Sequence, residues 1–115
     1  MTSSRFRNLA LGLPDTVEGS HQGNADFRTG KRIFATLGYP DAEWGMVKLT
    51  PEQQSVLVES EPEIFRPVPG GWGKQGNTNV RLDKADPTTL RSALTMAWQN
   101  IAQKSAPRAR KKAKP

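Results

Sequence analysis

The sequence of 115 residues contains no cysteine and only one histidine. The absence of cysteine excludes disulfide bonds, thiolate metal sites and cysteine nucleophiles. One histidine and scattered carboxylates provide no metal-ligand spacing, so we expect neither a metal site nor a cofactor. A catalytic role for His21 would need a positioned nucleophile and an orienting acid, and its neighbours in the sequence are generic. We therefore predict that the protein is not an enzyme.

Long apolar runs are also missing. No run approaches the roughly 20 residues that cross a bilayer, and the N-terminus lacks the apolar block of a signal peptide. We expect a soluble, cytoplasmic protein without membrane contact. An apolar content of 35% in a chain of this length supplies one domain with one modest core.

The C-terminal end has no acidic residue. The net charge is +6 at pH 7, and six cations beyond residue 103 account for all of it: Lys104, Arg108, Arg110, Lys111, Lys112 and Lys114. Residues 1–103 are neutral, with 11 basic residues against 11 acidic ones. The end segment has no large apolar side chain with which to offset the entropy of ordering. We predict a folded domain over 1–103 and a disordered basic tail over 104–115.

Hydrophobic spacing predicts the order helix, three strands, helix, two strands, helix. The helices are expected at about 4–12, 51–60 and 87–103, and the strands in the hairpin 25–37 and at 45–49, 64–68 and 78–83, with at most a weak strand in 16–24. Hairpin-length connections favour antiparallel pairing. The predicted fold is a two-layer α+β domain with helices against one face of an antiparallel sheet.

Several local signals support these elements. Thr50 and Gln53 form a capping-box pattern before the second helix, for which Val56 and Leu57 are the expected anchors. Thr29-Gly30 suits a tight turn that needs a positive φ. Pro67 lacks a backbone donor and so indicates an edge strand.

The sequence resembles the MmcQ/YjbR family of small bacterial proteins over residues 5–104. The resemblance depends on the order and spacing of five stretches: FRNLALGLPDTVEGSH, ADFRTGKRIFATL, WGMVKLTPEQQ, PGGWGKQG with the following NVRLD, and LRSALTMAWQNIAQK. It implies a secretion-chaperone-like fold whose element order agrees with the one predicted above. It also implies DNA binding by two hairpin wings, since the family is commonly described in this way.

The first wing would be the hairpin tip with Arg28, Lys31 and Arg32, which either reaches phosphates or is simply a solvated turn. In the second wing, Lys74 and Arg81 could meet phosphate while Trp72 stacks on a sugar or base. The alternative is that Trp72 folds back to close the core under a flexible loop, and this alternative is slightly favoured.

The tail cations would act as a flexible clamp on duplex DNA, giving weak, salt-sensitive and sequence-independent affinity. Those assigned to DNA contact are Arg108, Arg110, Lys111, Lys112 and Lys114. The alternative for the tail is a solubilising extension. The glycines of 70–76 are not followed by the Gly-Lys-Ser/Thr of a phosphate loop, so no small-molecule substrate is indicated.

A second class of function stays open. The neutral body and the chaperone-like architecture also fit a protein-interaction module without a DNA role. In that case His21, Trp44 and Trp72 are candidates to line a partner-binding groove. Trp44 and Trp98 are otherwise expected in or near the core.

Overall fold

The computed structural model describes residues 2–21, 23–38 and 41–105. Its elements are α1 (Ser3–Leu11), β1 (Thr16–His21), β2 (Asn24–Thr29), β3 (Arg32–Leu37), β4 (Trp44–Lys48), α2 (Pro51–Ser60), β5 (Phe65–Pro67), α3 (Gly71–Lys74), β6 (Asn77–Arg81) and α4 (Pro87–Ser105). None of the helices in these ranges is long and apolar enough to cross a membrane.

The six strands form one antiparallel sheet in the order β1-β2-β3-β4-β6-β5. The predicted α+β class and element order are confirmed. The structure adds a full six-residue β1, where the sequence indicated a weak strand at most, and the short α3 within the glycine-rich loop. Pro67 lies in β5 at an edge of the sheet, as predicted.

Turn and cap chemistry sets the element ends. Gly30 and Lys31 both have a positive φ, 59° and 70°, and join the paired residues Thr29 and Arg32 in a two-residue hairpin turn. The capping box predicted for α2 is present. Asp86 caps α4 by accepting a 2.7 Å hydrogen bond from the Thr89 backbone.

The core lies between the sheet and α1, α2 and α4. Fully buried side chains there include Phe6, Phe27, Phe34, Val47, Val80, Leu90 and Leu94. Gly45 lets α1 approach the sheet, because a Cβ at this position would lie 2.6 Å from the ring of Phe6. One face of the sheet is thereby covered by helices.

One prediction about helix detail is wrong. Val56 is not an anchor of α2, since it is 61% exposed. This helix buries no residue completely and relies partly on polar bonds made by Gln54. The cap of α1 is Thr2, because its hydroxyl accepts the bond from the Arg5 N–H.

Candidate functional site

The second face of the sheet is free of the three long helices. Because side chains alternate along a strand, the pairing register identifies the residues on this face. One row across all six strands consists of Gly19, Asp26, Thr36, Met46, Asn79 and Arg66. We call this surface the helix-free face.

A buried carboxylate connects two basic groups on this face. Asp26 has a side chain with no solvent exposure, and its Oδ2 lies 2.7 Å from Nδ1 of His21. Arg28 donates to the same carboxylate from Nε at 2.7 Å and from a terminal nitrogen at 3.0 Å. Gly19, paired with Asp26, leaves the necessary room, since a Cβ there would lie 3.0 Å from Asp26 Oδ1.

This arrangement sets the charge of Asp26. The hydrogen bonds from Arg28 hold the pKa of the Asp26 carboxyl below its ordinary value of 3.8, against the opposing effect of burial, and His21 adds to the lowering. An ionised Asp26 fixes the orientation of the imidazole and leaves Nε2 as the ring nitrogen not engaged by the carboxylate. His21 remains accessible, with 44% of its side chain exposed.

A tryptophan and two arginines form a second cluster on the helix-free face. The guanidinium carbon of Arg66 lies 5.2 Å from the Trp44 ring centroid, and that of Arg81 lies 5.7 Å from it. Both distances fit cation–π contact. Arg81 also bonds Asp83 at 3.0 Å, an exposed ion pair of the kind that contributes little to stability. The cluster therefore presents two guanidinium groups that can bind an anion by donating hydrogen bonds to it.

A groove of about 450 Å³ lies on the same face. Its walls include His21, Ile33, Thr36, Met46, Lys48, Val68, Trp72, Asn77 and Asn79. Most of the exposed lining surface is apolar, and the side chains named above add several polar groups; this mixture is the usual character of a ligand site. Asn79 is 5% exposed, and its Oδ1 is the buried side-chain oxygen that has no hydrogen-bond partner among the described residues.

Trp72 stands beside this groove on a firmly held backbone. The carbonyl of Trp72 accepts a 3.0 Å hydrogen bond from Asn77, and the side chain of Gln54 donates to the carbonyl of Gly73 at 3.0 Å. Gly73 packs so tightly that a Cβ would overlap the carbonyl of Val68. The indole is nevertheless 62% exposed. The favoured expectation that Trp72 closes the core is therefore wrong, because α3 directs it outward.

The predicted site residues separate into three groups. Arg28 and Arg81 lie on the helix-free face, and His21 and Trp72 line its groove. The exposed Lys31 and Arg32 lie at the β2–β3 turn, and the exposed Lys74 ends α3. The tail residues Arg108, Arg110, Lys111, Lys112 and Lys114 fall outside the described residues.

The tryptophans expected in or near the core have different surroundings. Trp44 is half-buried on the helix-free face, between the two arginines and outside the core. Trp98 packs partly against the core, and its Nε1 donates a 2.9 Å bond to the carbonyl of Pro14.

Sequence reasoning missed Asp26, Arg66 and Asn79. Strand alternation could have found Asn79, since it directs this side chain to the face opposite that of its neighbour Val80 and so away from the core. Arg66 was hidden by its position beside Pro67 in a short strand. The role of Asp26 depends on cross-strand neighbours, which local patterns do not reveal.

Comparison with known proteins adds a family and a fold. The YjbR family model matches residues 11–100. Among solved structures, the chain is similar to the Deinococcus radiodurans protein DR2400, which has a DUF419 domain, with 20% identity and a TM-score of 0.79. The similarity covers 97% of this chain and 86% of that one, and at this identity it concerns the fold alone. No curated protein matches.

Proposed function

Because the chain belongs to the YjbR family, we propose that it is a cytoplasmic, non-enzymatic DNA-binding protein that holds the phosphate backbone against its helix-free face. The observation that carries the proposal is the cluster of Arg66, Trp44 and Arg81, with arginine–ring distances of 5.2 and 5.7 Å. A guanidinium group binds phosphate with two parallel hydrogen bonds, and stacking on a ring restricts its motion beforehand. The cluster therefore suits a backbone contact.

The charge balance of the helix-free face supports this proposal. Among the described strand residues on this face, the basic ones besides His21 are Arg28, Lys48, Arg66 and Arg81, and the acidic one is Asp26. Asp26 is buried and bonded to Arg28, so it presents little negative potential to a polyanion. Asp83 offsets part of the charge of Arg81. The body is neutral overall, but this face still carries more positive than negative charge.

The projecting cations extend the proposed surface. Lys31 and Arg32 at the β2–β3 turn and Lys74 at the end of α3 would reach phosphates beside the central contact. The tail cations would add sequence-independent affinity through counterion release. Arg28 has a different role, because its bonds to Asp26 make it chiefly a positioning residue for the carboxylate and for His21.

The experiment compares fluorescently labelled duplex DNA binding by the full chain, a chain ending at Ser105, and the double variant R66E/R81E, each at low and moderate salt. We expect the truncated chain to bind more weakly but measurably. The double variant should lose at least about tenfold in affinity, because two attractive contacts become repulsive. Arg91 is exposed on α4, on the other side of the molecule, so R91E is the charge-matched control.

Two results would contradict the proposal. If the chain ending at Ser105 does not bind, DNA affinity belongs to the tail and the folded domain has another function. If R66E/R81E and R91E bind equally well, the helix-free face is not the contact surface.

A protein-interaction module is the second candidate. The groove favours it, since its walls include His21 and the exposed Trp72, and exposed aromatic side chains are common anchors in partner sites. Binding of a defined polypeptide to the purified protein, lost in W72A and unaccompanied by any DNA binding, would favour this function over the first.

A further inference from the structure

The buried amide of Asn79 indicates that the groove is built for a ligand with a hydrogen-bond donor. Its Oδ1 is buried without a partner, although neighbouring polar side chains are bonded. Asn77 donates to Trp72, for example, and Thr78 donates to Gly76 at 2.8 Å. A buried acceptor without a partner lowers stability. A ligand N–H that reached Asn79 would remove this cost.

The walls of the groove restrict the shape of that ligand. Ile33, Met46 and Val68 supply apolar surface, and Trp72 stands at the side with an exposed ring on a fixed backbone. Apolar walls and an indole favour a flat, uncharged ring system over an extended chain or a bare ion. An asparagine amide presents an acceptor and a donor side by side, which is the complement of the N6 and N7 edge of adenine.

Basic residues near the groove indicate that the ring of the ligand is attached to a negatively charged backbone. Lys48 lines the groove, and the arginines 66 and 81 lie on the same face of the sheet. A nucleotide whose base entered the groove would place its phosphates near cations. A neutral aromatic metabolite would not use these charges, so the combination favours a base carried on a nucleic-acid strand.

We propose that the groove binds an unpaired nucleobase, with Asn79 accepting its exocyclic N–H and Trp72 stacking on its ring. The inference rests on the proposed function for the backbone contacts and makes single-stranded segments the preferred substrate. An adenine is the best complement to the amide. A base paired within a duplex keeps its N6 and N7 edge open in the major groove, but it cannot enter between the groove walls, because both of its faces stack on neighbouring base pairs.

The experiment measures binding of the full-length protein to a labelled ten-nucleotide oligodeoxyadenylate and to an abasic strand with the same number of phosphates, at one salt concentration. We expect the adenine strand to bind at least about tenfold more tightly, as one stacked and hydrogen-bonded base supplies. W72A and N79L should each reduce this preference to within about twofold. V56A, which alters an exposed side chain on α2, should retain it.

The outcomes distinguish a failure of this inference from a failure of the proposed DNA-binding function. Equal binding of both strands overturns the inference and leaves the backbone contacts intact. If neither strand nor duplex DNA binds, both the inference and the proposed function are overturned. W72A decides the question if N79L does not fold, because Trp72 is largely exposed: an undiminished preference for adenine in W72A rules out the proposed groove.

Discussion

His21 Nδ1 lies 2.7 Å from Oδ2 of Asp26, a carboxylate with no exposure to solvent. This contact ties the end of β1 to β2 on the helix-free face, and Arg28, on the same strand as Asp26, bonds the carboxylate as well. The orienting acid that the sequence did not reveal is thus present across the strand pair. Asp26 fixes the orientation of the His21 imidazole, which lines the groove.

Replacing Asp26 with asparagine should lower the free energy of unfolding by about 1–3 kcal/mol at pH 7, because the amide cannot match the charge-assisted bonds from Arg28. Urea unfolding measures the change. D83N is the matched control: Asp83 also bonds an arginine but has 51% side-chain exposure. We expect D83N to cost less than about 0.5 kcal/mol. Equal effects would show that burial of Asp26 is unimportant.

The difference in stability between the wild type and D26N should depend on pH. The pKa of Asp26 is lowered in the folded state, so its ionised form stabilises the fold above the ordinary value of 3.8, and this contribution is lost as the pH falls through the folded pKa. The stability difference between the wild type and D26N should shrink as the pH falls below the ordinary value of 3.8, where Asp26 becomes protonated. Urea titrations across this range measure it. A difference that grows as the pH falls below 3.8 would have the wrong sign.

Substituting Gly73 with alanine should displace α3 and cost about 1–3 kcal/mol, since the new Cβ would overlap the carbonyl of Val68. Trp72 would move with α3, so the preference for an unpaired base should also be lost. The control is G71A, where a Cβ meets nothing within 4 Å. Thermal unfolding and the oligonucleotide titration check both effects. Tolerance of G73A equal to that of G71A would mean that the tight packing is unnecessary.

Removing the side chain of Gln54 should loosen the attachment of α3. Its Nε2 donates to the carbonyls of Gly73 and Asn77 and to the hydroxyl of Thr78, at 3.0, 3.0 and 3.1 Å. We expect Q54A to cost about 1–2 kcal/mol and to speed amide hydrogen exchange in 71–76. Q99A, an exposed site on α4, should change neither quantity. Unaltered exchange in Q54A would show that α3 is held by other contacts.

The salt dependence of DNA binding should report the contact made by Arg66. Each phosphate neutralised on a duplex contributes about −0.9 to the slope of log affinity against log salt concentration. R66A should make the slope less negative by about 0.9, the contribution of one phosphate contact. It should weaken binding to all sequences alike. R91A should leave the slope unchanged. A reduced affinity with an unchanged slope would place Arg66 away from phosphate.

The fold was predictable where short-range chemistry decides it. The cap of Thr50 and Gln53, the turn at Gly30 and the edge position of Pro67 each depend on neighbours within a few residues. β1 was underestimated because its side chains show little apolar alternation. It forms because all six of its residues pair with β2.

The candidate site was predictable only in part. Arg28, Arg81, His21 and Trp72 were nominated from local patterns, and the structure brings them to one face. The bond between Asp26 and His21 needs the register of β1 against β2, which residue types alone do not determine. The exposure of Trp72 likewise depends on bonds to α3 from elements distant in the chain.

The two borders of the sheet are unequal. β5 has three residues, one of them Pro67 without an N–H, whereas β1 offers six residues at the other border. Recruitment of an additional strand, from another molecule or from an inserted segment, is therefore easier beside β1. A strand added beside β1 would extend the sheet on the side away from the two arginines that stack on Trp44.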